Sequence, residues 1–532
     1  MPAEIAVSRR ATRSFPFPIA AALLAFLCGA CGTAGDAPVR GGRVVIGVRA
    51  DPKTFNIYTA TNAFAQDVAD LLQLRLMREG DDFGDHPPTF RPELAQRWEF
   101  SADHTQLTVH LDPAARWSDG VPVTSEDVLF SYRAAKDADV GWVGRDVKEL
   151  IADARAPDPH TVVFGFSRVY PYQLMDAAEG NIVPAHALAA IPFAQWPKTS
   201  FTDAPVTSGP FRVARYERGA SIELVRNPTY LGAPKPLLDE VVFRILPDEN
   251  TLLAELASGG IDVMENVPAA QVPRLSENPR LRIVRVPDLS YTFVCWNAAR
   301  PSFADARVRR ALTMAIDRQA IVEGLLEGSG RVSVSPIPSM LWAHDRELAP
   351  LPYDPDQARA LLAAAGWSEA KPLRFELETS QESGLRMKVA EMITAQLRKV
   401  GVEAVLRPLE FGAFVERHER HDFDAFVGSL KESTKVDLKS IFHSAGIRGG
   451  YNYGGYANPA LDALIDEARA EIDPEAARRL WNRVQETIAQ DQPYTFLFER
   501  DRYHAAPKAL EGFRPTPTSV YAGLESWSWG KH

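Results

Sequence analysis

The chain has 532 residues, with 59 Lys plus Arg against 69 Asp plus Glu and a formal charge of −10. An acidic balance excludes a basic nucleic-acid-binding surface, and the length exceeds the roughly 250–300 residues that one hydrophobic core holds, so two to four domains are predicted. Three cysteines, at 28, 31 and 295, exclude a disulfide framework and any thiolate zinc site.

The N-terminus carries the first readable element. Arg9, Arg10 and Arg13 precede an apolar run, Ile19–Leu27, which ends in Cys28-Gly29-Ala30-Cys31. A basic stretch, a short apolar core and small residues form a secretory signal, and the run is too short to cross a bilayer, which takes about 20 apolar residues. Residues 1–30 are therefore expected to be a lipoprotein signal peptide, with Cys31 lipidated and 31–40 a polar tether. Cys28 stands where a lipobox usually has Leu, and the alternative is an ordinary signal peptide cleaved near Ala30. Loss of residues 1–30 removes three Arg and one Glu, leaving 56 basic against 68 acidic residues and a charge of −12. Cys295 lies in an apolar run and reads as a small buried hydrophobe.

Beyond the tether, Val44, Ile46 and Val48 alternate as an opening strand, and Leu107, Val109 and Leu111 as another. Asp119-Gly120 marks a turn, and Thr124 with Asp127 starts a helix by a capping-box pairing. Strands follow near 161–166, 209–213, 222–226 and 241–245. Asn250 is expected to cap a helix stopping at Gly259-Gly260, after which Ile261 and Val263 extend. In the second half, Asp305 and Asp317 each cap a helix. Val389, Ile393, Leu397 and Val400 line a helix ending at Gly401, 402–406 is a strand, and Leu461, Leu464 and Ile465 mark a further helix. His418 and His421 are spaced to share a helical face as metal ligands can, but the charges around them read as a solvated face, so no metal is expected. Strands and helices alternate without a fixed repeat, an α/β pattern.

Several blocks, in order, resemble extracellular solute-binding protein family 5, the oligopeptide-, dipeptide- and nickel-binding proteins of ABC importers. They are 41–54 (GGRVVIGVRADPKT), 91–100 (RPELAQRWEF), 116–132 (RWSDGVPVTSEDVLFSY), 208–230 (SGPFRVARYERGASIELVRNPTY), 301–321 (PSFADARVRRALTMAIDRQAI), 353–367 (YDPDQARALLAAAGW) and 453–465 (YGGYANPALDALI). The resemblance implies a two-lobed periplasmic-binding-protein-like clamp (type II, cluster C) with an extra small domain. Residues 41–75, 205–288 and 503–532 are expected to build lobe I, 76–204 the small domain and 289–502 lobe II. A ligand in the cleft closes the clamp, which needs contacts made only in the closed state.

The most recognisable blocks, among them Trp117 and Asp119-Gly120, read as scaffold. Peptide-binding members carry a Gly-Trp-x-x-Asp-Tyr-like stretch whose acid meets the ligand's free amine. Here it is Gly428–Ser433, with the tryptophan missing and Glu432 as the acid. The resemblance makes Phe411 a ligand-facing aromatic and places Phe293 and Trp296 near the hinge and cleft, on opposite strand faces, so that one of the two is a ligand candidate. It puts Trp142 in a segment covering the cleft and makes Tyr451 and Tyr453 ligand candidates from a glycine-rich loop.

These readings describe an exported, lipid-anchored, monomeric binding protein without cofactor or metal. It captures a peptide or similar-sized solute and delivers it to an ABC permease with its ATPases, at the periplasmic or outer face of the cytoplasmic membrane. A sensing receptor or periplasmic chaperone would use the same clamp. An exported hydrolase would require a signature such as Gly-x-Ser-x-Gly or His-Glu-x-x-His, which the chain lacks.

Overall fold

Two long antiparallel strands, Leu281–Trp296 and Tyr494–Pro507, tie the molecule together. The computed structural model describes residues 40–202 and 205–530. The expected signal 1–30, Cys31 and all of the tether but Arg40 lie outside the described residues.

The two long strands run through the middle of an eleven-stranded sheet. On one side follow Val263–Met264, Arg43–Val48, Glu240–Ile245, Ser221–Arg226 and Phe211–Glu217. On the other follow Ala425–Lys431, Arg374–Ser380 and Glu403–Leu409, with Gly330–Val332 paired to Tyr494–Pro507. The register of the long pair breaks between Pro287 and Tyr291, so 281–287 pair with 501–507 and 291–295 with 494–499. A break of this kind bends and twists a sheet locally, and here it separates the two halves.

Each half buries both sheet faces. Val44, Ile46, Phe211 and Phe243 pack on one face of the first half, and Leu252, Leu256 and Met264 on the other. In the second half, alternation along 291–296 sends Tyr291, Phe293 and Cys295 into one core and Val294 and Trp296 into the other. A fully buried large side chain contributes about 1.5–3 kcal/mol by area, so these runs anchor the lobes firmly. A separate four-stranded antiparallel sheet, Ala95–Phe100, Gln106–Leu111, Thr161–Phe166 and Ile151–Asp158, carries the small domain's core around Trp117.

Expected elements recur with their local causes. Asp127 accepts from the Thr124 N–H at 2.8 Å and opens helix Ser125–Lys136. Asp305 and Asp317 cap helices Ala306–Met314 and Arg318–Leu325. Helix Glu249–Ser258 differs from expectation: Asp248 caps it, accepting from the Thr251 N–H, and Asn250 lies inside the first turn. Its end at Gly259, φ +86°, is the left-handed stop expected of glycine. Cys295 is fully buried, and burial pushes its thiol up. His418 is also buried, stacked on Phe426 and 3.3 Å from Glu378, so it does not lie on the solvated face expected for it. Some packing crosses the expected domain limits. Tyr230 joins the core around Trp117, and Phe83 joins the second-half core beside Trp342. Among the described residues no helix is long and apolar enough to span a membrane.

Candidate functional site: the interlobe cleft

The parallel strands Arg374–Ser380, Glu403–Leu409 and Ala425–Lys431 point their carboxyl ends the same way. Open α/β sheets bind ligands at that edge. Glu432 follows the last of these strands, and its N–H donates to the Leu289 carbonyl at 2.8 Å, beside the register break. Its carboxyl is half-buried, and burial pushes it up to about 7; the Tyr291 hydroxyl opposes that rise and Asp437 adds to it. Among the described residues Glu432 has no ion-pair partner. The buried Tyr291 hydroxyl makes no hydrogen bond of proper geometry.

Lobe I supplies the facing charges. Asp67, on helix Ala63–Leu72, is held well above the usual carboxylate range by burial and by nearby Glu265 and Asp70, while Lys431 and Arg502 pull the other way. Glu265, just after Val263–Met264, is raised by burial. At the break, Asp288 lies 3.6 Å from Arg500 and 3.5 Å from Arg502. The 76–204 segment makes direct contact with lobe II. Lys435 pairs with buried Asp176 at 2.8 Å, the Tyr172 hydroxyl donates to the Val436 carbonyl at 2.9 Å, and the Trp342 N–H donates to the Phe83 carbonyl at 2.8 Å.

Of the residues singled out from sequence, Glu432 directly follows strand Ala425–Lys431 at the carboxyl edge of the lobe II sheet. Phe411 opens helix Phe411–Glu419 at the same carboxyl edge, 54% exposed. Phe293 stacks on Tyr494 with centroids 4.4 Å apart. Trp296 is fully buried, its indole N–H donating to Thr495 Oγ1 at 3.0 Å. Trp142 packs edge-on against Tyr58 at 5.3 Å, in a core shared by the 76–204 segment and the 41–75 segment. These three present almost no surface to a ligand in this conformation. The Trp142 indole is packed against Tyr58, and Phe83 and helix Gln173–Ala178 lie where the 76–204 segment meets lobe II. Tyr451 and Tyr453 pack edge-to-face, and the Tyr453 carbonyl accepts from His421, which ties that loop to helix Phe411–Glu419.

Sequence reasoning missed Asp67, Glu265, Tyr291 and Tyr521. Asp67 carried a signal: it falls three residues after Phe64 and four before Leu71, interrupting the helix's apolar stripe. Glu265 sits two residues after Val263, an acid in phase with a buried strand residue. Among the described residues no group of three or more His, Cys, Asp or Glu side chains is placed to hold a metal.

Comparison with known proteins agrees with this architecture. The model of the bacterial extracellular solute-binding proteins, family 5 (Middle), matches residues 89–450. The oligopeptide-binding protein AppA of Bacillus subtilis is 29% identical over 506 residues, 92% of each chain. Its structure in complex with a nonapeptide superposes with a TM-score of 0.77, covering 93% of this chain and all of that one. The dipeptide-binding protein of Escherichia coli is 26% identical over 451 residues, 80% of this chain and 84% of its own. The substrate-binding protein CtaP of Listeria monocytogenes, at 22% identity, shares the fold with a TM-score of 0.83, covering 92% of this chain and all of its own.

Proposed function

The chain belongs to the bacterial extracellular solute-binding proteins, family 5, which bind and do not catalyse, and on that premise we propose that it captures peptides for an ABC importer. Export under the signal 1–30, anchoring through a lipid on Cys31 and delivery to a permease with its ATPases complete the proposal. In it, 41–75, 205–288 and 503–532 form lobe I, 76–204 the small domain and 289–502 lobe II. The observation that carries the peptide reading is Glu432, a carboxyl at the carboxyl edge of the lobe II sheet with no cationic partner among the described residues. AppA, the relative noted above, is solved around a peptide.

An ammonium in the cleft offers Glu432 what the protein withholds. A charge-assisted hydrogen bond to it is worth about 1.5–3 kcal/mol, roughly 10- to 100-fold in affinity. Calorimetric titration with free and N-acetylated peptides of the same sequence tests this. The free forms are expected to bind at least about tenfold more tightly in the wild type, and E432Q to erase the difference. Equal binding of both forms, or no peptide binding at all, would sink the proposal. Scattering should show a more compact protein with peptide bound, since closure requires contacts from both lobes.

A further inference from the structure

A recess of different character lies away from Glu432, where the 41–75 and 76–204 segments meet. It is a cavity of about 320 Å³ whose walls include Phe55, Val183, Leu188, Ile191, Phe201 and Val206. No charged side chain lines it, and none of its walls comes from residues 289–502, so it is not part of the interlobe cleft. Packing elsewhere keeps the walls from falling in. The Phe201 ring sits edge-on to the fully buried Trp196 at 5.3 Å, and Pro184 and Pro205 stiffen the lining backbone.

Most of the polar side chains in the wall are engaged. The Gln73 amide donates to the Val206 carbonyl at 2.9 Å, and its side-chain oxygen accepts from the Ser208 hydroxyl at 3.2 Å. The Thr199 hydroxyl donates to the Gln195 carbonyl at 2.9 Å, and the Ser200 hydroxyl accepts from Thr202 at 3.1 Å. Asn56 is the exception, and it is only 4% exposed. Its side-chain oxygen accepts from the Tyr58 N–H at 3.0 Å, which opens the short helix Ile57–Thr59 and fixes which end of the amide is which. The other end, Nδ2, is buried and has no hydrogen-bond partner among the described residues. Folded proteins nearly always answer such a donor, because leaving it unmade forfeits its hydration with nothing in return. Water answers it poorly, since a buried water needs about two to four polar partners and these walls are mostly apolar.

The chemistry of an occupant follows from the lining. It is neutral, because uncharged walls offer a buried charge no partner; the same reason bars a zwitterionic peptide. It is largely apolar, and it carries an acceptor for Nδ2. An apolar cavity of about 150 Å³ holds benzene, so this one has room for two fused rings. We infer that the recess beside Asn56 binds a neutral two-ring molecule that presents a carbonyl oxygen to Asn56 Nδ2. This second ligand site goes beyond the peptide reading and does not depend on it.

Coumarin and indole test it. Both are neutral and two-ringed, but coumarin presents a carbonyl oxygen where indole presents an N–H. Titrated calorimetrically into the full-length protein, coumarin should bind at least about tenfold more tightly than indole. N56D keeps the oxygen that opens helix Ile57–Thr59 and exchanges the free donor for an acceptor, so it should invert the preference. A187F places a ring on the exposed lip of the cavity and should remove binding of both. If the wild type binds neither molecule, or binds both equally, the recess holds only water and the inference falls. A preference that N56D leaves unchanged, or binding that survives A187F, puts the ligand elsewhere and equally overturns the assignment. The wild-type ratio decides the matter on its own should a variant not fold.

Discussion

The buried Glu378 in the wall of lobe II and the half-buried Glu432 at its carboxyl edge are treated in opposite ways. Glu378, within the lobe II sheet, has a fully buried side chain, and burial alone would raise its carboxyl. His418 and Arg417, the latter at 2.9 Å, outweigh burial and hold it below the usual range. Glu432, one strand over at the carboxyl edge, has no such partners and rises to about 7. Lobe I repeats the contrast on one helix, where Arg75 keeps Asp70 low while Asp67, less than a turn earlier, is left high. Folding favours compensated buried charge. Charge left uncompensated along a cleft makes physical sense where a ligand brings the compensation.

Aromatic residues give the widest bracket on this comparison. Trp296→Ala should cost about 3–5 kcal/mol of stability in urea unfolding, because the indole is fully buried and donates to Thr495. A cost below about 1 kcal/mol would mean that Trp296 is not a wall residue. Glu378→Gln should come next, at about 3 kcal/mol, since it replaces a fully buried carboxylate paired with Arg417 and beside His418 by a neutral amide. The cleft counterpart should behave oppositely. Glu432 binds its proton more tightly in the folded state, about 7 against 4.5. The stability it contributes is full below about 4.5 and is lost as the pH rises through about 7. Denaturation of the ligand-free protein should therefore show stability falling over that window, and a shallower fall in E432Q. A steeper one would reverse the contrast.

Binding should show the same proton. An ammonium favours the carboxylate form, so peptide binding near neutral pH should release a proton from Glu432 and tighten as pH rises through about 7. Titration in buffers of different ionisation enthalpy reads this directly, and proton uptake would contradict it. Lys435→Ala removes the ion pair among the contacts between the small domain and lobe II. It should weaken ligand affinity by roughly tenfold and reduce ligand-induced compaction in scattering, with each lobe still folded. The smallest effect belongs to Phe411→Ala, within about 0.5 kcal/mol of wild-type stability, because its ring is 54% exposed. An affinity change without a stability change would make Phe411 part of the binding rim.

Legibility in the sequence followed the range of the interaction involved. Caps and alternation were readable because they depend on neighbours two to four residues away, as Asp305 with Arg307 and Thr124 with Asp127 show. Asn250 misled because Asp248, two residues earlier, is an equally good cap, and the chain chose the earlier start. Glu432 was found through a resemblance, since nothing local separates it from a solvated loop acid beside Lys431. Phe293, Trp296 and Trp142 drew attention as aromatics, which serve cores and clefts alike.

By itself, then, the sequence determined the α/β elements, the order of the family's blocks and the opposite-face alternation of Phe293 and Trp296, all properties of short range or of matched pattern. Tertiary structure alone decided which charges go unanswered. Asp67 and Asp70 lie on the same helix, and only their surroundings, Arg75 beside one and Glu265 and Asp70 near the other, separate a compensated charge from an uncompensated one. Arg75 is five residues from Asp70, whereas Glu265 and Tyr521 come from segments hundreds of residues from Asp67, and a pKa depends on what is near in space.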